Sequence, residues 1–77
     1  MEKLKVEEIR SLDQIIEYII SASNGEIIPN KPNQVTKKTK GNEAMITFYY
    51  DEYAVVYFIT DDKVTSYNTL LIKHFAT

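Results

Sequence analysis

The most apolar and most regular stretch of the chain covers residues 43–60 and is rich in β-branched and aromatic side chains. Such side chains suit a pleated strand better than a helix. The stretch predicts two strands, at 44–50 and 53–60, joined by a tight turn at Asp51-Glu52. A four-residue loop over 50–53 is the alternative, and it would leave the pairing of the two strands unchanged.

Both faces of this predicted hairpin are apolar, whereas a sheet with one face in water normally alternates apolar and polar residues. One helix could cover one face, so a second helix, a loop or another chain must cover part of the other. The two-residue turn places Phe48 opposite Val55 and Ile46 opposite Tyr57 on one face, and Tyr49 opposite Ala54, Thr47 opposite Val56 and Met45 opposite Phe58 on the other.

Residues 12–22 follow the period of an amphipathic helix of about three turns. Ser11 and Gln14 form a capping-box pattern at its start, and Asn24-Gly25 marks its end, with Gly25 able to take the left-handed conformation. The apolar arc of this helix, which we expect to pack on the hairpin, contains Leu12, Ile15, Ile16, Ile19, Ile20 and Ala22.

The remaining segments complete the predicted fold class. Residues 3–9 alternate weakly and predict a short N-terminal strand, while the prolines and polar residues of 29–42 predict a flexible basic loop. A third strand is predicted from Val64 to about Ile72, with a short C-terminal helix from Asn68 as the alternative. The sequence therefore predicts an α+β fold, in which one amphipathic helix packs on a three-stranded antiparallel β-meander, with a short N-terminal strand or C-terminal helix added.

The length of 77 residues predicts a single small domain spanning 1–77. A chain of this size buries little more than about 60% of its unfolded surface, so dimerisation is a common means of stabilisation. The sequence has no cysteine, a charged N-terminus and no apolar run longer than residues 54–59. These features predict a cytoplasmic protein without disulfides and without a membrane partner.

Candidate catalytic residues are few. His74 is the one histidine, the serines lack flanking glycines, and the paired acids Asp51-Glu52 and Asp61-Asp62 fall in predicted turns. No ligand spacing for a metal and no glycine-rich phosphate loop is present in the sequence. We therefore expect no catalytic site, no metal, no cofactor and no enzymatic activity.

The charge is uneven along the chain, although the net charge is only −2. Residues 31–40 contain four lysines and no acid, namely Lys31, Lys37, Lys38 and Lys40. Lysines neutralise phosphates and exposed aromatic rings stack on bases, so these lysines with Tyr49 suggest a single-stranded nucleic-acid-binding module. The acidic balance of the whole chain argues against this interpretation.

Protein binding accounts for more of the pattern, because the chain combines a second apolar sheet face with six tyrosines, a residue type enriched at interfaces. The leading hypothesis is a small non-enzymatic protein-binding or regulatory protein that forms a homodimer through an aromatic sheet face. Accessory proteins of phages and mobile elements are an analogy for so short a chain. The predicted partner-binding residues are Tyr49, Tyr50, Tyr53, Tyr57 and Phe58.

Overall fold

The computed structural model describes residues 5–9 and 11–72, with side chains from residue 11 onward. All its strands join one antiparallel sheet in the order β1-β2-β3-β4-β5. The predicted α+β class is confirmed. The elements are β1 (Lys5–Ile9), α1 (Leu12–Ala22), β2 (Gln34–Lys40), β3 (Glu43–Tyr49), β4 (Tyr53–Thr60) and β5 (Lys63–Leu71).

The predicted central hairpin is confirmed in both its strands and its register. Phe48 lies opposite Val55, and Tyr49 lies opposite Ala54. At the turn, the Tyr50 N–H donates to the Tyr53 carbonyl at 2.8 Å. The pairing predicted from a turn centred on 51–52 therefore holds along the whole of β3 and β4.

The predicted three-stranded meander is too short, because four consecutive strands, β2 to β5, are linked by hairpins and β1 adds a fifth. The predicted flexible loop at 29–42 is wrong for β2, which pairs with β3 along its full length. Val35 is fully buried and anchors this strand. Thr36 and Thr39 add β-branched side chains that suit a strand. The predicted N-terminal strand is confirmed as β1, which pairs with β2.

The C-terminal region is strand up to Leu71, so the alternative of a helix beginning at Asn68 is wrong for residues 68–71. The register of β4 and β5 shifts between Phe58 and Ile59. The Thr65 hydroxyl donates to the Phe58 carbonyl at 3.1 Å beside this irregularity. The C-terminal part of the predicted helix, including His74, lies outside the described residues.

The predicted helix is confirmed, but its start differs from the prediction. Ser11 makes no side-chain capping bond within the described chain, so the predicted capping box is wrong. At the other end the Asn24 N–H donates to the Ser21 carbonyl and the Gly25 N–H donates to the Ile20 carbonyl. This is the Schellman arrangement, in which Asn24 has φ of 56°. Gly25 has φ of 79°, so its predicted left-handed conformation is confirmed.

The core lies between α1 and one face of the sheet. Ile15 and Ile19 project from the helix into this core, and the Phe48 and Tyr57 rings meet edge to face with centroids 5.2 Å apart. Such a pair adds about 0.5–1.5 kcal/mol beyond the area it buries. The sheet residues buried against the helix are Val35, Ile46, Phe48, Tyr57 and Ile59.

The connection from α1 to β2 is tied to the sheet by hydrogen bonds. Ser23 is buried, and its hydroxyl oxygen accepts the Ile27 N–H at 3.0 Å. The Tyr50 hydroxyl donates to the Asn30 carbonyl at 2.7 Å. Ile27 packs against the core, whereas Ile28 is 74% exposed.

Candidate interaction surface

The sheet face opposite α1 is the candidate site, and we call it the open face. No element of residues 11–72 covers it. Because paired residues in an antiparallel sheet share a face, the register defines four rows of side chains across β2 to β5. The rows are Gln34–Tyr49–Ala54–Leu70, Thr36–Thr47–Val56–Asn68, Lys38–Met45–Phe58–Ser66 and Lys40–Glu43–Thr60–Lys63.

One half of the open face is an apolar hollow of about 530 Å³. Phe58 is 39% exposed at its centre, while Leu70 and Ile72 are 49% and 39% exposed at its border. Val56 and Ala54 form a buried floor beneath these larger side chains. The hollow therefore offers contiguous apolar surface to a partner rather than scattered single residues.

The other half of the open face is charged. A second hollow, of about 580 Å³, shares Met45 and Phe58 with the first and extends to Lys38, Lys40 and Glu43. Lys63 lies in the same row as Lys40 and Glu43. The acids Asp51 and Glu52, which are both exposed, lie in the β3–β4 turn at the opposite end of the strands. The end with the lysines also has the exposed acids Glu43, Asp61 and Asp62, so charges of both signs lie there.

The structure divides the predicted aromatic residues between the two sides of the sheet. Tyr49 and Phe58 lie on the open face. Tyr50 and Tyr53 lie on the helix side, where their rings stack with centroids 4.7 Å apart. Tyr57 is 4% exposed and belongs to the core, so it has almost no surface to offer a partner. The five residues do not form one surface.

The predicted lysine set is divided as well. Lys38 and Lys40 lie on the open face, in two adjacent rows. Lys37 lies on the helix side, with its ammonium 5.9 Å from the centre of the Tyr18 ring. Lys31 is exposed in the connection that precedes β2.

Three tyrosines on the helix side have raised pKa values. Burial, followed by the nearby hydroxyls of Tyr57 and Tyr53, raises the pKa of Tyr50 to about 12. Burial raises the pKa of Tyr57, and Tyr67 and Tyr53 add to the effect. Burial also raises the pKa of Tyr18, whose hydroxyl donates to the Asp62 carboxylate at 3.0 Å. The raised pKa values keep these three tyrosines neutral. They are what packed structural side chains are expected to show.

Strand β5 adds exposed surface that the predicted partner-binding residues do not include. Tyr67 is 60% exposed and Leu71 is 78% exposed, both on the helix side of the sheet. Leu70 projects to the open face. The alternating apolar residues of this strand predict the strand itself. They do not predict which of its two faces is exposed to solvent.

The described residues contain no group of three or more histidine, cysteine, aspartate or glutamate side chains arranged to hold a metal ion. Within the same residues no helix has the length and apolarity needed to span a membrane. No protein-family model matches the chain, and no match was found among curated proteins or solved structures.

Proposed function

We propose that this chain is a small, non-enzymatic, cytoplasmic protein of accessory or regulatory type that self-associates through its open face. The observation that carries the proposal is the exposure of Phe58 beside the apolar hollow of a sheet face that no element of residues 11–72 covers. Phe58 lies opposite Met45 on β3, so an aromatic ring and a flexible methionine side chain form the middle of the contact. Aromatic residues and methionine are enriched in the cores of interfaces.

The proposed occupant of the open face is a second copy of this chain. Two sheets stacked face to face by a two-fold axis, with their strands running in opposite directions, would bring the lysines of each copy to the β3–β4 turn of the other. Lys38 and Lys40 would then approach Asp51 and Glu52 of the second copy. Such complementarity sets the orientation of a contact more than its strength.

The experiment is light scattering coupled to size exclusion on Phe58→Glu, with Ile28→Glu as the matched control. Both residues are exposed apolar side chains, but Ile28 lies in the α1–β2 connection, away from the open face. We expect Phe58→Glu to weaken self-association at least tenfold, because a carboxylate would have to be desolvated in an apolar contact. Ile28→Glu should behave as the unsubstituted chain. Equal association of all three proteins would contradict the proposal.

A second candidate function is single-stranded nucleic-acid binding, favoured by one observation. Lys38 and Lys40 share the open face with Tyr49 and Phe58, so cations and rings lie on one surface, as stacking platforms for bases require. This candidate predicts salt-sensitive binding of a single-stranded oligonucleotide that Lys38→Ala with Lys40→Ala weakens. Lys31→Ala with Lys37→Ala, which removes the same charge elsewhere, is the control. Absence of binding at low salt would exclude the candidate.

A further inference from the structure

Strand β5 ends the sheet with backbone groups directed outward. The Ile72 N–H donates to the Glu52 carbonyl at 2.9 Å, toward the inside of the sheet. Peptide groups alternate in direction along a strand, so those of Leu70 and Asn68 also point to β4. The N–H and carbonyl groups of Tyr67, Thr69 and Leu71 therefore point away from the sheet, where β5 has no neighbouring strand among the described residues.

The two edges of the sheet differ in how they resist pairing with another strand. In β1, three of five residues are charged, namely Lys5, Glu7 and Glu8. In β5, the single charge in nine residues is Lys63, at the first position, and the strand has no proline. Proteins normally protect edge strands with charges, prolines or coverage. The β1 edge has such protection in its sequence, whereas the β5 edge is open to a neighbour.

After Lys63, the side chains along this edge are a mixture of apolar and uncharged polar groups. Tyr67 and Leu71 are exposed on the helix side, and Leu70 is half exposed on the open face. From Val64 to Ile72 the chain carries no charge, so two copies of this segment can meet without repulsion between like charges. An added strand would receive hydrogen bonds along its backbone and apolar contacts above and below.

We propose that β5 pairs antiparallel with β5 of a second copy, in a register centred on Thr69. In this register Thr69 faces its own equivalent, and Tyr67 faces Leu71 of the other copy. The outward N–H and carbonyl groups of Tyr67, Thr69 and Leu71 in each strand then form hydrogen bonds with the other strand. Each Tyr67 ring covers a Leu71 side chain across the new pair.

The pairing is separate from the contact through the open face and does not depend on it. A two-fold axis perpendicular to the sheet relates the two strands, so one continuous sheet of two chains results, with both open faces on the same side. Two such sheets can then stack through their open faces into a closed assembly of four chains. The unsubstituted chain is expected to reach four chains, and loss of either contact leaves two.

The first test is Thr69→Pro, with Thr69→Ala as the matched control. Proline removes an outward N–H and keeps every N–H that points to β4, whereas alanine removes the side chain and keeps all N–H groups. In the Phe58→Glu background, light scattering should show two chains for Thr69→Ala and one chain for Thr69→Pro. Equal masses for these variants would overturn the edge pairing while leaving the open-face proposal to its own test.

The second test does not depend on how well the proline variant folds. The chain has no cysteine, so Thr69→Cys introduces a single thiol at the two-fold axis. Opposed residues at this kind of position have Cα atoms about 5.5 Å apart, within the range that a disulfide spans. Under mild oxidation Thr69→Cys should cross-link at least tenfold faster than Ile28→Cys, whose thiol would also be exposed. Equal cross-linking rates for the two variants would mean that both thiols react by random collision, and would overturn the proposal.

Discussion

Met45 on β3 and Phe58 on β4 lie directly opposite each other, and together they border both hollows of the open face. Their neighbours in sequence, Ile46 and Tyr57, form the adjacent pair on the other side of the sheet and are buried against α1. A step of one residue along either strand thus leads from the core to the proposed interface.

This relationship predicts different effects for substitutions at two adjacent residues. Ile46→Ala removes a fully buried side chain and should cost about 2–5 kcal/mol of folding free energy. Met45→Ala should cost less in the monomer, since Met45 is only partly buried, but should weaken self-association. Urea unfolding at low concentration measures the first effect, and light scattering over a concentration series measures the second. Equal losses of stability with unchanged association would contradict the assignment of faces.

The hydroxyl of Tyr50 predicts a loss of stability at high pH. Tyrosine has an ordinary pKa of 10.0, and the folded protein raises that of Tyr50 to about 12. The unfolded chain therefore releases this proton first, so the contribution of Tyr50 to stability is complete below pH 10 and disappears as the pH rises toward 12. Tyr50→Phe should cost about 0.5–1.5 kcal/mol at neutral pH, through the lost bond to Asn30, and should flatten this pH dependence. Thermal unfolding of both proteins from pH 7 to 12 provides the check; parallel curves would show that another group is responsible.

The end of α1 predicts an unequal response to two small side chains. Asn24 has φ of 56°, a conformation that costs most residues with a β-carbon about 1–2 kcal/mol and costs glycine nothing. Asn24→Ala should therefore lower the free energy of unfolding by about 1 kcal/mol, whereas Asn24→Gly should leave it unchanged or raise it. Denaturant unfolding compares the two, with Ser21→Ala as a control on the exposed side of the helix. A loss of stability with glycine as large as that with alanine would show that the conformation at this position does not matter.

The sequence was sufficient to predict the β3–β4 register, because alternation fixes which residues share a face and the turn fixes which residues lie opposite. Phe48 and Val55 illustrate this. β2 could not be predicted in the same way, since Val35 is its single strongly apolar residue. The lysines around Val35 give the segment a composition typical of a loop. Its place in the sheet depends on hydrogen bonds to β3 and on the burial of Val35, which are tertiary effects.

The candidate site was predicted in part for a related reason. Alternation separates Tyr49 and Phe58 from Tyr50, Tyr53 and Tyr57, but it does not say which set the helix covers. That choice depends on how α1 crosses the sheet. The exposure of each β5 side chain likewise depends on where an eleven-residue helix lies on the sheet, which the sequence pattern does not give.

The most direct test of the central claim is an NMR experiment on a mixture of isotope-labelled and unlabelled chains, recorded so that only contacts between chains appear. We expect contacts from the Met45 methyl group and the Phe58 ring of one copy to open-face residues of another, and none from Ile28. The contacts should vanish in Phe58→Glu. A single-chain particle at millimolar concentration, or contacts between chains that avoid the open face altogether, would contradict self-association through this surface.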